Sequence, residues 1–394
     1  MMRVFRVLYV FAGVKRKSDV GSHLQELANS CDFTLECHEI DLYRDPTHNV
    51  LENTFWKSLV DKVTCRYYDI VIITPPCNTF SRSLNANRLG PRPMQSKEWP
   101  WGFPWLEGKT LQKCEEANRF VKLMFELCRT AFQAGSPYLL EHPEDLGAAD
   151  DGSIPASIFA LQDMFSFAQD THATTIAFHQ CGFLAPSAKA TRIVTTLPLL
   201  PAPGVTFYRS WPSFNSSGHY KGPLPRRCGH RHKPILGRDT HTGIFRTAAA
   251  ASYPDKRCLW LALMIVSFCQ SSSKVGEVDK SVPALPERVP TSSSTLPSPA
   301  QHSWVPGSSV PTMVPGSSVP TKGAGPSRSL PGSCVPTETS LLQVGWNKLQ
   351  RLPSPSIPAQ ETAEVTAPQK ALEEEQTSEE EEPGVPRPQL RDHP

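Results

Sequence analysis

The chain has 394 residues, and its 40 lysines and arginines nearly balance its 38 aspartates and glutamates. The last 124 residues differ from the rest, since 271–394 hold 20 of the 39 prolines and carry a net charge of −4. They repeat VPGSSVPT at 305–312 and 314–321, and they end on the acidic run EEEQTSEEEE at 373–382. Such a composition excludes a packed core, so we predict a disordered tail: a solvated spacer, or a segment that binds a protein partner.

Residues 1–270 have the length of one large α/β domain, and their 30 basic and 24 acidic residues give a net charge of +6. This charge permits a nucleic-acid partner without requiring one. Ten of the eleven cysteines lie here without the spacing of a disulfide framework. The apolar run near the start, VLYVFAGV, does not suit a signal peptide. The run at 258–269, CLWLALMIVSFC, is too short to span a membrane. We therefore expect an intracellular monomer, nuclear or cytoplasmic, with no membrane partner.

The first half of this domain alternates predicted strands and helices. An apolar run over 3–13 ends at Gly13, as a strand does on entering a turn. Helical spacing follows over 18–28, with Ser18 as the predicted cap, and the acid-ended run 33–41 predicts a second strand. A helix over 52–63 then leads to the continuously apolar DIVIITPP, which is typical of a buried strand.

The second half continues this alternation. The clearest helix covers 109–134 and stops at Gly135. The remaining predicted elements are a strand at 137–145, a helix near 156–166, strands around 174–183 and 190–197, and a buried helix at 258–269. The pattern predicts an α/β fold with a doubly wound, mostly parallel sheet and a ligand crevice at the carboxyl ends of its strands.

Motifs at the strand ends resemble, in order, those of the cytosine carbon-5 DNA methyltransferases. They are FAG after the first strand, EID after the second, PPCNTFS, LLEHPE, QCGFLAPSAKATRIV and TAAAASYPDKRCLWLALMI. The resemblance covers residues 1–270. It implies a Rossmann-like methyltransferase fold, S-adenosyl-L-methionine as methyl donor, and a pyrimidine in nucleic acid as substrate, with DNA favoured over RNA.

Cys77 is the candidate nucleophile by this resemblance. Methylation at carbon 5 needs a nucleophile to add at carbon 6, and a thiolate in an exposed strand-to-loop turn suits that step. Pro75 and Pro76 restrict the backbone in front of it. The alternative is a small apolar residue at a strand end, the role of many cysteines.

Glu141 and Arg192 complete the catalytic set that the resemblance implies. Glu141 would contact the N3 side of the pyrimidine, where a protonated carboxyl would stabilise the developing charge. Arg192, with Lys189 and Thr191, stands where the family has an Arg-x-Arg pair that holds a phosphate or orients the base. The alternatives are an acid at a helix N-terminus or a surface ion pair for Glu141, and a solvated edge strand for the other three.

The donor site implied by the resemblance comprises Phe11, Gly13, Asp41, Asp69 and Pro75. Asp41, or Glu39 in its place, would accept hydrogen bonds from the ribose hydroxyls, and Asp69 would contact the adenine edge. The family's glycine-rich turn reads FAGVKRKSDVG here, so only Gly13 is retained and three cations occupy the turn. Cations before a helix suit an anionic ligand, either the donor's carboxylate or a phosphate.

Substrate contacts are expected from Ser81, Arg82 and Gln180, and from the loop over 82–109. That loop interleaves cations with four aromatic rings, as an unpaired strand or a flipped base requires; they are Arg82, Arg88, Arg92, Lys97, Trp99, Trp101, Phe103 and Trp105. Alternatively, the rings pack a long proline-rich loop onto the domain.

RRCGHRHK at 226–233 places Cys228, His230 and His232 at alternate positions. On a strand these side chains would share one face with little room for tetrahedral closure, and the segment has no Cys-x-x-Cys. We therefore predict no metal and favour a basic loop that faces phosphates.

Two other functions stay open. The span 198–246 is short and irregular for a region that reads duplex sequence, and the first glycine turn is altered. Both features favour a rival function, a catalytically inactive module that binds nucleic acid. Methylation of an amino nitrogen is disfavoured, since those enzymes typically carry Asp/Asn-Pro-Pro-aromatic where this chain has Thr-Pro-Pro-Cys.

Overall fold

The computed structural model describes residues 3–86, 91–278 and 347–348. Nearly all of them belong to one compact unit formed by residues 1–275 and 339–394. A second unit covers 276–338, of which only 276–278 are described. The predicted disorder of 271–394 therefore lies outside the described residues, except at 271–278 and 347–348.

A six-stranded sheet forms the centre of the described chain, in the order β2-β1-β3-β4-β6-β5. Strands β1 to β4 are mutually parallel, and β6 runs antiparallel to both of its neighbours. This confirms the mixed α/β class and the mostly parallel sheet. The strands are β1 Val4–Val10, β2 Thr34–Ile40, β3 Ile70–Ile73, β4 Tyr138–Pro143, β5 Thr174–His179 and β6 Ala190–Thr195.

Helices cover both faces of this sheet. They are α1 Val20–Ala28, α2 Asn53–Thr64, α3 Ser83–Ala86, α4 Gly108–Gln133, α5 Gln162–Asp170, α6 Arg246–Ala249 and α7 Asp255–Val278. The apolar side chains of α1 and α7 pack with one face, while those of α2, α4 and α5 pack with the other. Two faces covered by helices explain why β3 reads as a continuous apolar run, since all four of its residues are buried.

Three helices differ in their boundaries from those predicted. Helix α5, at Gln162–Asp170, begins and ends later than the predicted 156–166, of which 158–160 form a 3₁₀ helix. Asp19, and not Ser18, caps α1: its carboxylate accepts a hydrogen bond from the Ser22 amide, which supplies a partner for one of the free amides of the first turn. Helix α7 begins three residues before the predicted 258 and continues to Val278, and the Ser271 and Ser273 hydroxyls donate to the Ser267 and Cys269 carbonyls at 2.9 and 3.0 Å. No helix among the described residues is long and apolar enough to cross a membrane.

The span between β6 and α7 contains few regular elements. The strands β7 Ser213–Phe214 and β8 Tyr220–Gly222 form a small antiparallel ribbon, and α6 is a single turn. Two 3₁₀ helices, Ile158–Ala160 and Gln180–Phe183, precede α5 and follow β5. The second of these falls in the predicted strand 174–183, which accordingly ends at His179.

Candidate functional site

The sheet has a topological switch point between β1 and β3. From β1 the chain crosses to β2 on one side of it and then returns to β3 on the other side. A hydrogen bond links the ends of β1 and β3 at this point: the Thr74 hydroxyl donates to the Phe11 carbonyl at 2.9 Å. Phe11 and Gly13 both have positive φ, of 64° and 69°, so the chain turns sharply here. Ligands of open α/β sheets bind at such crevices.

Cys77 lies beside this crevice, four residues after the end of β3. The Pro75 ring is buried and the Cys77 side chain is half-buried, so the proline pair holds the thiol at the edge of the core. Burial raises the pKa of the Cys77 thiol; the Lys189 ammonium opposes that rise and the Glu141 carboxylate adds to it. The structure thus brings all three side chains into electrostatic reach of one another.

Glu141 comes from β4, the strand next to β3, and only 5% of it is exposed. The Tyr253 hydroxyl donates a short hydrogen bond to its Oε2, and Nη2 of Arg257 lies 3.4 Å from its Oε1. Burial alone would raise the pKa of Glu141, but Arg257, Lys189 and the Tyr253 hydroxyl together bring it below its ordinary value. Its neighbours in this structure therefore favour the ionised carboxylate, whereas the resemblance implied a protonated form.

Arg257 is the main site residue that the sequence reading missed. It is fully buried, and its three side-chain nitrogens have no hydrogen-bond partner among the described residues. The guanidinium carbon lies 3.6 Å from the centre of the Tyr253 ring. Unpaired buried N–H groups are costly and call for an acceptor, which a ligand oxygen or a bridging water can provide. A charged residue in the apolar run PDKRCLWLALMI was the available sequence signal.

Lys189 stands at the start of β6, half-buried, and its ammonium donates to the Ala250 carbonyl at 3.3 Å. Two other predicted contacts lie nearby but face each other. The Gln180 amide donates to the Thr191 hydroxyl at 3.0 Å, and both side chains are at most 1% exposed. In this structure they stabilise the β5–β6 corner, while Lys189 belongs to the Cys77–Glu141 cluster.

Arg192 does not belong to that cluster, which corrects its predicted catalytic role. Successive strand residues point to opposite faces, so Arg192, paired with His142, lies on the face opposite Glu141. Its guanidinium is fully buried and donates to Glu144 at 2.5 and 2.8 Å. It also donates to the Thr175 hydroxyl and the Ser210 carbonyl. These internal acceptors engage every nitrogen of the side chain.

The predicted donor side is occupied by a network of charged side chains. Arg44 lies 2.6 Å from Glu39 and 3.0 Å from Asp19, and the Lys15 ammonium contacts the same two carboxylates at 3.1 and 3.2 Å. Asp41 accepts bonds from the Gly13 and Tyr43 amides, so it closes the turn. Of the three cations in the turn, Lys15 joins this network, whereas Arg16 donates to the Tyr253 carbonyl at 2.9 Å.

One acceptor of this network is unsatisfied. The Oε1 atom of Glu39 is buried, has no hydrogen-bond partner among the described residues, and packs against Gly21. Glu39 is also among the residues that border a cavity of about 310 Å³, together with Ile40, Phe55 and Tyr68 of the face covered by α2. An unpaired carboxylate oxygen near the carboxyl end of β2 is an acceptor of the kind that ribose hydroxyls use, so on this feature the residues fit the adenosine part of S-adenosyl-L-methionine.

Asp69 is not part of this site. It precedes β3, and its carboxylate accepts from the Arg6 amide at 2.8 Å and lies 4.0 Å from Arg3. This position is the amino end of the strand, whereas the crevice lies at the carboxyl end. Spacing along the chain placed Asp69 near the motif, but strand direction places its carboxylate away from the crevice where the adenine contact was predicted.

Ser81 and Arg82 begin the loop after Cys77 and make mainly internal contacts. The Ser81 hydroxyl bonds that of Ser83 at 2.7 Å. Arg82 donates to the carbonyls of Leu146 and Gly147 at 2.8 and 2.7 Å. In this structure Arg82 anchors the loop next to β4, and Arg88 lies outside the described residues.

Three tryptophans of the following loop remain exposed. The accessible fractions are 41% for Trp99, 39% for Trp101 and 63% for Trp105. Phe103 stacks on Trp105 with ring centres 4.8 Å apart, and Lys122 lies over Trp101. These exposed rings form a surface suited to base stacking. The alternative, in which the rings only pack the loop, holds for Phe103.

No protein-family model matches the chain, and no curated protein is similar to it at a significant level.

Proposed function

We propose that this chain is an S-adenosyl-L-methionine-dependent methyltransferase of Rossmann-like fold that acts on carbon 5 of cytosine in nucleic acid, DNA in preference to RNA. The observation that carries the proposal is the convergence of Cys77, Glu141 and Lys189 at one end of two adjacent parallel strands. A thiol that lies beside a crevice and near a buried carboxylate suits addition to a pyrimidine ring.

Cys77 carries the covalent steps of this chemistry. The Cys77 sulfur adds to carbon 6 of the base, which makes carbon 5 electron-rich. S-adenosyl-L-methionine, when bound, would supply the electrophilic methyl group, with its neutral thioether as the leaving group. Loss of the carbon 5 proton to water and expulsion of the Cys77 sulfur as a thiolate then restore the aromatic ring.

The surrounding groups assist that addition and select the base. Lys189 favours the Cys77 thiolate through its charge. The ionised Glu141 accepts a hydrogen bond from the exocyclic amino group of cytosine, which uracil lacks. The unpaired N–H groups of Arg257 suit the carbonyl oxygen on the same ring.

The rival function is a nucleic-acid-binding module without catalysis. The observation that favours it is the network of Lys15, Arg44, Asp19 and Glu39, which fills the turn expected to cradle the donor. The exposed Trp99, Trp101 and Trp105 suit either function, because stacking on unpaired bases requires no methyl donor.

Calorimetric titration of the full chain with S-adenosyl-L-methionine separates these functions. For the enzyme we expect saturable binding, weakened at least about tenfold in Glu39→Gln through loss of about 1.4 kcal/mol of charged hydrogen bonding. Glu36→Gln is the matched control: it also removes a salt-bridged carboxylate from β2, in this case one paired with Arg6, and it keeps full affinity. Absence of donor binding with retained affinity for single strands would establish the module instead.

A further inference from the structure

A second cluster of reactive side chains lies outside the site described above. Cys181, Cys228, His230 and His232 place one ligand atom each within 4.8 Å of one another. Cys181 belongs to the 3₁₀ helix after β5, and the other three come from the loop between β8 and α6. Two thiols and two imidazoles are the ligand set of many structural zinc sites.

The geometry agrees with tetrahedral coordination. With Zn–S near 2.3 Å and Zn–N near 2.1 Å, ligand atoms of a tetrahedron lie about 3.4 to 3.8 Å apart. Cys228 Sγ and His232 Nε2 are 3.0 Å apart, and no pair in the cluster exceeds 4.8 Å. Adjustments of about 1 Å in these side chains would close the tetrahedron.

The reason for predicting no metal from the sequence does not hold in the structure. Residues 226–233 form no strand, and Gly229 has φ of +80°, a conformation that turns the chain between Cys228 and His230. The alternate ligands therefore converge instead of lining one face of a strand. The fourth ligand, Cys181, lies 47 residues before Cys228 in the chain, so local spacing cannot identify it.

Independent contacts hold the loop against the same corner of the sheet. The His179 imidazole donates to the Pro225 carbonyl at 3.2 Å, and the Lys233 amide donates to the Pro186 carbonyl at 2.9 Å. These two bonds bracket the three loop ligands. The ligands are thus presented at a fixed place beside Cys181 by backbone contacts that involve no metal.

We propose that Cys181, Cys228, His230 and His232 bind a structural Zn²⁺ ion that fastens the basic loop 225–233 to the β5–β6 corner. Four protein ligands leave no open position, so the role is structural and not catalytic. The loop carries exposed Arg226, Arg227 and Arg231, and the ion would fix where these cations are displayed. This proposal does not depend on the proposed methyltransferase activity.

The test is the metal content and the cobalt spectrum of the full chain purified under reducing conditions. We expect one zinc per chain and, after exchange, the visible bands of tetrahedral Co²⁺ with thiolate ligands. His230→Gln changes an exposed side chain and is expected to weaken zinc binding at least about tenfold, while Cys228→Ser abolishes stoichiometric binding. Matched controls are His241→Gln and Cys65→Ser, which retain the metal.

If Cys228→Ser folds poorly, thermal unfolding of the wild-type chain and the other variants still tests the proposal. We expect a chelator to lower the melting temperature of the wild-type chain and of both controls, and to act on His230→Gln at a lower chelator concentration because that variant binds zinc more weakly. Zinc retained by the His230→Gln/Cys228→Ser double variant would overturn the proposal. So would a wild-type chain without zinc above the buffer blank, or one with a Cys181–Cys228 disulfide under reducing conditions.

Discussion

At the scale of single residues, the site depends on how neighbours set the charge of Cys77. Burial raises the pKa of its thiol, Lys189 lowers it and Glu141 raises it. The thiol is therefore a poor nucleophile until a positive charge dominates its surroundings. The same environment favours the ionised form of Glu141, whose charge disfavours the Cys77 thiolate, and the Lys189 ammonium opposes that effect.

The pH dependence of Cys77 alkylation tests this arrangement without any assay of activity. Because the thiolate is the reactive form, alkylation increases as pH rises through the thiol pKa. We expect Lys189→Met to move the midpoint to higher pH and Glu141→Gln to move it to lower pH. Peptide mass spectrometry follows Cys77 specifically, with Lys57→Met as control. Identical midpoints in all four proteins would mean that the three side chains do not face one another.

Arg192 and Glu144 form a fully buried ion pair, and its stability provides a second prediction. Removing one member leaves a buried charge unpaired, so Arg192→Leu is expected to lower the free energy of unfolding by about 3–5 kcal/mol. The double variant Glu144→Leu/Arg192→Leu recovers part of that loss. Urea denaturation measures both, and Arg209→Leu, an exposed arginine, serves as control.

If the role of Arg192 is structural, Arg192→Leu lowers the stability of the chain and does not act through ligand affinity. An Arg192→Leu protein with wild-type stability and weakened nucleic-acid binding would return Arg192 to the substrate site. Sequence alone could not separate these roles. Arg192 and Glu141 lie on the adjacent strands β6 and β4, each within a motif that resembles the methyltransferase family. Only the strand register places the two side chains on opposite faces of the sheet.

At the scale of elements, most helices and strands follow from their apolar periodicity. Helix α4 matches its predicted span within one residue at each end, since a long amphipathic stripe and Gly135 define it. The predicted strand at 174–183 was too long because Gln180 to Phe183 turn into a 3₁₀ helix. Periodicity over six residues cannot locate such a turn.

The cap of α1 provides a third prediction, because Asp19 is both cap and member of the charged network. Its carboxylate accepts from the Ser22 amide and pairs with Arg44. Asp19→Ala is expected to lower the free energy of unfolding by about 2–4 kcal/mol at pH 7, whereas Ser18→Ala changes it by less than about 0.5 kcal/mol. Equal effects of the two variants would contradict the observed cap.

The same carboxylate makes stability depend on pH. Burial alone would raise the pKa of Asp19, but the Arg16 and Ser22 amides and Lys15 hold it well below its usual value. Because the pKa of Asp19 is lower in the folded chain than in the unfolded one, its carboxylate contributes fully to stability above the unfolded pKa of about 3.9. This contribution is lost as pH falls through the folded pKa. The stability gap between wild type and Asp19→Ala should therefore narrow in acid.

At the scale of the whole molecule, chain topology decides which predicted residues meet. The carboxyl ends of β1, β2, β3 and β4 share one edge of the sheet, so Gly13, Asp41, Cys77 and Glu141 could all be placed there from sequence. Asp69 could not, because it lies at the opposite end of its strand. Arg257 was missed because it reaches the site from α7, more than a hundred residues after Glu141.

The central claim is that Cys77 attacks carbon 6 of a cytosine. Incubation of the full chain with S-adenosyl-L-methionine and an oligonucleotide carrying cytosine fluorinated at carbon 5 tests it most directly. Fluorine cannot leave as a cation, so after methyl transfer to carbon 5 the adduct cannot expel the Cys77 sulfur. We predict a denaturation-resistant adduct that maps to Cys77, persists in Cys65→Ser and is absent in Cys77→Ser. No adduct, or one that survives in Cys77→Ser, would contradict the account.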